Sequence, residues 1–249
     1  MNESARSRIR DRFLDWAGAQ SAIRAAAIGT PWFSITEKSA SGETIERRIL
    51  FEGCIDVDFI IVSVECALAG FSGTFVNEIA ARGARVLIDK DGILSAFPGQ
   101  AHPIPSFAPP PSREFLEVIN DFWFHAAWTA KKLNRGELWV AKRACDEYMK
   151  RLLLRMVEWH ARLTREGVKD TWFDGRFLEQ WASPRVVEEM KKAFARYDAD
   201  DVWNALSASM DVFHRIASET AGRLGFDYPA ENAVRVSEWV RGSRRQDRA

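Results

Sequence analysis

The 249-residue chain has two successive patterns of hydrophobic and polar positions. In the first part, short runs rich in β-branched and aromatic side chains alternate with turn-forming stretches, which predicts strands. The predicted strands are "WFSITEKS", "TIERRILFEG", "IDVDFIIV" and "ARVLID". A helix is predicted over about residues 3–20, where apolar residues recur at helical spacing, and another near residues 66–82. This mixture predicts an α+β or α/β domain with a mostly buried sheet.

A proline-rich segment separates this part from the rest of the chain. Ala101–Ser112 contains five prolines, which excludes a helix or a central strand and predicts a stiff, extended linker. We therefore predict a first domain at residues 1–102, a linker at 103–111 and a second domain at 112–249.

After the linker, apolar residues recur at the spacing of amphipathic helices. A first helix is predicted with Ser112 as its N-cap and an end or bend at Gly136. A second is predicted from about Glu137 to Arg165, and a late helix should end at Gly225. The apolar stripe of the first helix consists of Phe115, Ile119, Phe122, Ala126, Ala130 and Leu133. The predicted fold class is α+β, with a mixed-sheet domain followed by an all-helical bundle.

Charge and cysteine content exclude several classes of function. The 35 basic and 35 acidic side chains cancel, so net charge gives no reason to expect binding to nucleic acid or to an anionic membrane. Three widely spaced cysteines without a Cys-x-x-Cys pair argue against a zinc site or a disulfide framework. The N-terminus lacks the apolar stretch of a signal peptide, and no apolar run reaches membrane-spanning length. We expect a soluble, cytoplasmic protein.

The strongest chemical signal is a pair of carboxylates in the strand "IDVDFIIV". Side chains two residues apart in a strand point to the same face, so Asp56 and Asp58 should stand side by side. Two such carboxylates in an apolar run suit a divalent metal, commonly Mg²⁺, which can bridge phosphate oxygens. The alternative is a half-exposed strand with one solvated face.

The first predicted helix after the linker has a second polar and aromatic face. Asp121, His125 and Trp128 lie at i, i+4 and i+7, away from the apolar stripe. An acid beside aromatic rings can bind a cationic, hydroxyl-rich ligand. The alternative is that this face packs on the first domain and that Asp121 pairs with a nearby base.

Three basic residues cluster around the junction of the first two helices of the second domain. Lys131, Arg135 and Lys142 could hold a triphosphate, or they could be ordinary solvated helix charges. Spacing alone leaves both interpretations open.

Several segments together resemble a known family of enzymes. They include "RDRFLDWA", "IRAAAIG", "ERRILFEGCIDVDFIIV", "ARVLIDKDGIL", "FLEVINDFWFHAAWTAKKLNRGELWVAK", "LLRMVEWHAR", "DGRFLEQW" and "MDVFHRIASETAGRLGFDYP". In this order they cover nearly the whole chain and resemble the aminoglycoside 6-adenylyltransferases (streptomycin adenylyltransferases) of the nucleotidyltransferase superfamily.

The resemblance implies a nucleotidyltransferase-like first domain and a helical domain that helps to bind the drug. It implies AMP transfer from ATP to a hydroxyl of streptomycin, with Mg²⁺ on the triphosphate. Asp58 would then be the catalytic base or a metal ligand, with Asp56 as its partner. The residues implied at the nucleotide are Lys131, Lys142 and Arg135, and those implied at the drug are Asp121, Trp123 and Glu137.

The chain departs from the family pattern near Gly29. The superfamily pattern of Gly-Ser followed about a dozen residues later by Asp-x-Asp is missing, so the first domain is shortened. In register with the family, Asp58 matches the third carboxylate of the pattern, which lies on a later strand, and Asp56 is an extra neighbour. Alternatively, Gly29 and Thr30 stand for Gly-Ser, and Asp56 and Asp58 are the primary metal pair.

Loss of a central strand has consequences for the sheet and for activity. The sheet must either close the gap with "WFSITEKS" or expose an edge that could pair with a second copy of the chain. Two other hypotheses stay open: a non-catalytic relative that acts as a binding or interaction protein, and a nucleotidyltransferase with a different acceptor.

Overall fold

The computed structural model of this protein describes residues 30–38, 44–69, 75–80, 82–94, 107–164 and 170–246. The chain divides into two compact units, Met1–Pro103 and Ile104–Ala249. The helix predicted over residues 3–20 and the glycine at position 29 lie outside the described residues.

The first unit contains an antiparallel sheet of three strands in the order β1-β2-β3. The strands are β1 (Pro31–Lys38), β2 (Thr44–Phe51) and β3 (Ile55–Val62). A short 3-10 turn, Glu52–Cys54, joins β2 to β3, and Gly53 takes a φ of 78° there, which a residue without a Cβ adopts at little cost. Two short helices follow, α1 (Val64–Leu68) and α2 (Phe75–Ala80).

The strand "WFSITEKS" forms β1 and pairs with β2. β3 pairs with the other side of β2, so β1 and β3 are the edges of the sheet in the part of the chain that the structure describes. Pairing of an edge with a second copy stays a prediction.

Two expectations about the first unit are wrong. Among strand residues with described side chains, only Ile49 and Phe51 are buried, whereas Phe33 on β1 is 72% exposed, so the sheet is not mostly buried. The segment "ARVLID" forms no strand, and Leu87 and Ile88 in it are exposed. β-propensity alone does not make a strand, because a strand needs a neighbour to bond.

The second unit is helical, as predicted, and together with the sheet it confirms the α+β class. Within the described residues its helices are α3 (Ser112–Asn134), α4 (Leu138–Arg143), a π-helical segment (Ala144–Tyr148), α5 (Met149–Thr164), α6 (Leu178–Trp181), α7 (Pro184–Met190), α8 (Ala199–Leu224) and α9 (Ala230–Gln246). α5 packs on α8, and α9 packs on α3. None of the described helices is both long and apolar enough to cross a membrane.

The core of this unit is built from the predicted apolar stripe of α3. All six stripe residues are buried, and the Phe122 ring stacks on Phe213 of α8 with centroids 3.7 Å apart. The late helix ends at Gly225, as predicted, with a φ of 69°. At the start of α3 the prediction is one residue off, because Pro111 is the N-cap and Ser112 is already helical.

One partly buried carboxyl of α5 should make the stability of the protein depend on pH. Burial raises the pKa of Glu158 from 4.5 to about 7, against the opposing charge of Arg155. Between these two values the folded state binds more protons than the unfolded state, so Glu158 makes the fold less stable as pH rises through this window. We expect Glu158→Gln to raise the melting temperature at about pH 8 and to change it little at about pH 4.5.

Thermal melts of the two proteins across this range test the prediction. Glu188→Gln, which changes an exposed glutamate of the same unit, is the matched control. A difference between Glu158→Gln and wild type that does not grow with pH would contradict it.

Candidate functional site

The two aspartates of β3 lie on a charged face of the sheet. Asp58 pairs in register with Arg48 and Asp56 with Leu50, so both aspartates share a face with Arg48. The Arg48 guanidinium contacts Glu46 at 2.9 Å and lies 3.7 Å from both Glu37 and Asp58. The face thus combines several carboxylates with one cation.

The electrostatics of Asp58 favour its neutral form somewhat. Partial burial raises the pKa of Asp58, and the positive charge of Arg48 opposes this, while Glu46 and Asp56 add to the rise. The side chain is still 48% exposed. A carboxylate with a raised pKa, open to solvent, is able to accept a proton from a ligand.

The pair fits magnesium as part of a larger coordination shell. Mg²⁺ is usually bound by one or two carboxylates plus substrate phosphates, and it keeps several waters. Asp56 and Asp58 supply that number of carboxylates on one face. In the described part of the chain no group of three or more His, Cys, Asp or Glu could hold a metal alone, so phosphate oxygens would have to complete the shell.

The second unit contains a cavity of about 260 Å³. It opens between α3, α4 and the π-helical segment, next to the start of α5. Its lining consists of His125, Trp128, Trp139, Val140, Arg143, Ala144, Glu147, Tyr148 and Arg151. We call this cavity the helical-unit pocket. Two of its residues, His125 and Trp128, belong to the face that the sequence predicted on α3.

A hydrogen-bonded group fixes one wall of the helical-unit pocket. Asp121 Oδ1 lies 2.7 Å from His125 Nδ1, and the Tyr148 hydroxyl donates to Asp121 Oδ2 at 2.8 Å. The hydrogen bond to Asp121 raises the pKa of Tyr148, with burial and the charge of Asp121 adding to it. Asp121 therefore pairs with His125, a base as the alternative interpretation expected, and also with Tyr148. Packing of this face on the first domain stays a prediction.

The π-helical segment is a feature that the sequence analysis missed. The predicted helix over residues 137–165 is present, but residues 144–148 within it have π-helical hydrogen bonding. Such insertions are rare and occur often at functional sites. Three residues of the pocket, Ala144, Glu147 and Tyr148, come from this segment. Apolar periodicity gives no signal for one extra residue in a turn.

None of the predicted basic residues belongs to the lining of the pocket. Lys131 lies 5.7 Å from the centre of the Trp239 ring, and Arg135 lies 4.0 Å from Glu137. Lys142 is engaged more fully, because its ammonium donates to Asp146 and to the carbonyl of Ala195, both at 2.5 Å. A triphosphate contact from Lys142 would therefore have to replace bonds that hold the fold.

The residues predicted at the drug occupy different environments. Trp123 is 6% exposed and packs edge-on against Phe122, so its ring lies in the core. Glu137 accepts from Lys132 at 2.7 Å and keeps a side chain that is 35% exposed. The structure thus brings Asp121 to the edge of the pocket and places the Trp123 ring in the core. Asp56 and Asp58 belong to the other unit.

Comparison with known proteins identifies a family whose model matches most of this chain. The family model for streptomycin adenylyltransferase matches residues 11–243. An aminoglycoside 6-adenylyltransferase of Bacillus subtilis (strain 168) is 23% identical over 188 residues, which are 76% of this chain and 64% of the relative. One from Campylobacter jejuni is 23% identical over 156 residues, 63% of this chain and 54% of the relative. The chain therefore spans about half to just under two thirds of the length of these relatives.

A solved structure is also similar to this chain. The crystal structure of an aminoglycoside 6-adenyltransferase from Bacillus subtilis matches with a TM-score of 0.49 and 17% identity. The match covers 85% of this chain and 79% of that chain.

Proposed function

We propose that this chain, which belongs to the streptomycin adenylyltransferase family, transfers AMP from ATP to a hydroxyl of a streptomycin-like aminoglycoside. The family match supports the class of reaction. We assign the reaction to Asp56 and Asp58 because both lie on an open face of β3. A carboxylate pair on such a face is accessible to a metal-bound triphosphate and to an acceptor hydroxyl.

The reaction assigns a defined role to each carboxylate. The acceptor oxygen attacks the α-phosphorus of ATP, the bond from that phosphorus to the bridging oxygen of pyrophosphate breaks, and the Asp58 carboxylate takes the hydroxyl proton. Asp56 and Asp58 would hold Mg²⁺, which offsets negative charge on the triphosphate when it is bound.

Residues of the helical unit are proposed to bind the substrates. Lys131 and Arg135 are exposed cations suited to phosphate oxygens, and Lys142 joins them only if it leaves Asp146. Asp121 and Glu137 are acids suited to the ammonium and guanidinium groups of the drug. Trp123 would act indirectly, because its ring is buried and packs against Phe122 and Phe213 in the core.

A second candidate function is supported by one observation. The sequence has no Gly-Ser followed about a dozen residues later by Asp-x-Asp, and 25 residues separate Thr30 from Asp56. A loop of backbone amides that would cradle the triphosphate is therefore not recognisable. The second candidate is a non-catalytic relative that binds an aminoglycoside or a protein partner.

Transfer of label from ATP tests the first function against the second. We expect incubation with α-³²P-labelled ATP, Mg²⁺ and streptomycin to give labelled drug and pyrophosphate in equal amounts. Reactions without drug and with chelator in place of Mg²⁺ are the controls. Drug binding without any label transfer would instead identify the chain as the non-catalytic relative.

A further inference from the structure

The described strands place one cation on the face of the sheet that carries Asp56 and Asp58. Alternation along β2 puts the Arg48 side chain on this face, and Arg48 lies directly opposite Asp58 in the ladder. We propose that Arg48 contacts the phosphates of ATP during AMP transfer. This inference deepens the proposed function and rests on it for the choice of nucleotide.

Most of the hydrogen-bonding capacity of Arg48 is unused within the described part of the chain. Its Nε donates to Glu46 at 2.9 Å. Glu37 and Asp58 each lie 3.7 Å from the guanidinium, which is beyond hydrogen-bond distance. No other hydrogen bond of Arg48 is present among the residues that the structure describes. The terminal N–H groups therefore stay available to a ligand, and the side chain is 46% exposed.

The position of Arg48 beside the proposed base brings it within reach of the reacting phosphate. A general base lies about 3 Å from the hydroxyl that it deprotonates, and the attacking oxygen lies about 3–3.5 Å from the atom it attacks. The α-phosphorus should therefore lie within about 6 Å of a carboxylate oxygen of Asp58. Because Arg48 Nε is 3.7 Å from Asp58 Oδ1, the long arginine side chain can reach phosphate oxygens by rotation, without movement of β2.

The charges on this face make the contact dependent on a divalent cation. Four carboxylates, those of Glu37, Glu46, Asp56 and Asp58, share the face with Arg48, so the face alone repels a triphosphate. A divalent cation held by Asp56 and Asp58 would offset the charges of this pair. Arg48 then adds positive charge from the protein itself, and the planar fork of a guanidinium matches two oxygens of a phosphate.

Calorimetric titration of ATP into the full chain with Mg²⁺ tests the contact without relying on activity. Arg48→Met should weaken ATP binding about tenfold or more, the size expected for loss of a hydrogen bond to a charged group. Arg48→Lys should restore part of the affinity, because lysine keeps the charge but loses the fork. Pyrophosphate with Mg²⁺ should follow the same order of variants, whereas the affinity for adenosine should not change. Without a divalent cation, ATP should not bind to this face.

Two controls separate a phosphate contact from a structural role. Arg85→Met removes an exposed arginine of the same unit that lies outside the three strands, and it should leave ATP affinity unchanged. Binding of Mn²⁺ alone, followed by water proton relaxation, should be unchanged or tighter in Arg48→Met, because a nearby positive charge is gone. The melting temperature should change little, since the ion pairs of Arg48 are exposed.

Two results would overturn the inference. One is Mg²⁺-dependent ATP affinity that Arg48→Met leaves unchanged, or no such ATP binding at all. The other is equal weakening of Mn²⁺ and ATP binding in Arg48→Met, which would make Arg48 a support for the carboxylates. Failure of the proposed function is seen separately: ATP binding that depends on Arg48, without label transfer to streptomycin, would refute the transfer and leave the contact standing.

Discussion

Asp58→Asn is expected to lower the rate of AMP transfer on the order of 10²–10⁴-fold, the usual contribution of a general base. Asparagine keeps the shape of the side chain but cannot accept the hydroxyl proton, and it is a poorer metal ligand. The position on the partly exposed face of β3 makes misfolding a weak explanation for such a loss. Initial rates of label transfer at saturating ATP and drug measure the effect.

Glu37→Gln is a closely matched control for Asp58→Asn. Glu37 on β1 and Asp58 on β3 both lie 3.7 Å from the Arg48 guanidinium, and their side chains are 54% and 48% exposed. Each substitution removes one charge partner of Arg48. Only Asp58→Asn removes a carboxylate of the proposed site, so Glu37→Gln should retain nearly wild-type transfer.

Asp56→Asn separates the two interpretations of the aspartate pair. If Asp58 corresponds to the family's later carboxylate, Asp56→Asn should be much less harmful than Asp58→Asn. Equal losses would support the alternative in which Asp56 and Asp58 form the primary metal pair. Wild-type transfer in Asp58→Asn would contradict the role proposed for this residue.

Helices and strands whose apolar residues recur at a regular spacing could be predicted from sequence. The three strands β1 to β3 and the helix α3 lie where the pattern places them. In α3 the apolar stripe marks the side that is buried. "ARVLID" has the same local composition but no ladder partner among the described residues, and it stays irregular. Strand formation depends on a neighbour that local composition does not report.

The helical-unit pocket could be predicted only in part. Spacing on α3 brought Asp121, His125 and Trp128 together, since residues four apart share a helix face. The contact of Tyr148 with Asp121 joins residues 27 positions apart, and it depends on the π-helical segment. Arg151 looks like any surface arginine in the sequence. Its guanidinium lies over the ring of Tyr148, three residues earlier in the same continuous helical stretch.

Lys150 is the other residue whose replacement should have a large effect, in this case on stability. It is 6% exposed, and its ammonium donates to Ser209 Oγ at 2.8 Å and to the Cys145 carbonyl at 2.9 Å. Asp146 Oδ1 is buried without a hydrogen bond, and the Lys150 ammonium lies 3.9 Å from it. Burial lowers the pKa of Lys150, against the favourable charge of Asp146. The lysine thus ties the π-helical segment to α8.

Lys150→Met should destabilise the protein by about 1.5–3 kcal/mol, the usual contribution of buried hydrogen bonds made by a charged group. The methionine fills the space but leaves the Cys145 carbonyl without its charged donor. Asp146 loses the more distant of its two lysines and keeps Lys142 at 2.5 Å. The expected fall in melting temperature is on the order of 10 °C for a unit of this size. Denaturant unfolding of wild type and variant gives the free energy directly.

Lys142→Met is the natural comparison, because Lys142 also contacts Asp146 but is 25% exposed. Water can replace some of the hydrogen bonds that this substitution removes. The loss of folding stability should therefore be clearly smaller than for Lys150→Met. A Lys150→Met protein as stable as wild type would show instead that the cost of burying the Lys150 ammonium equals the stabilisation from its hydrogen bonds and charge contacts.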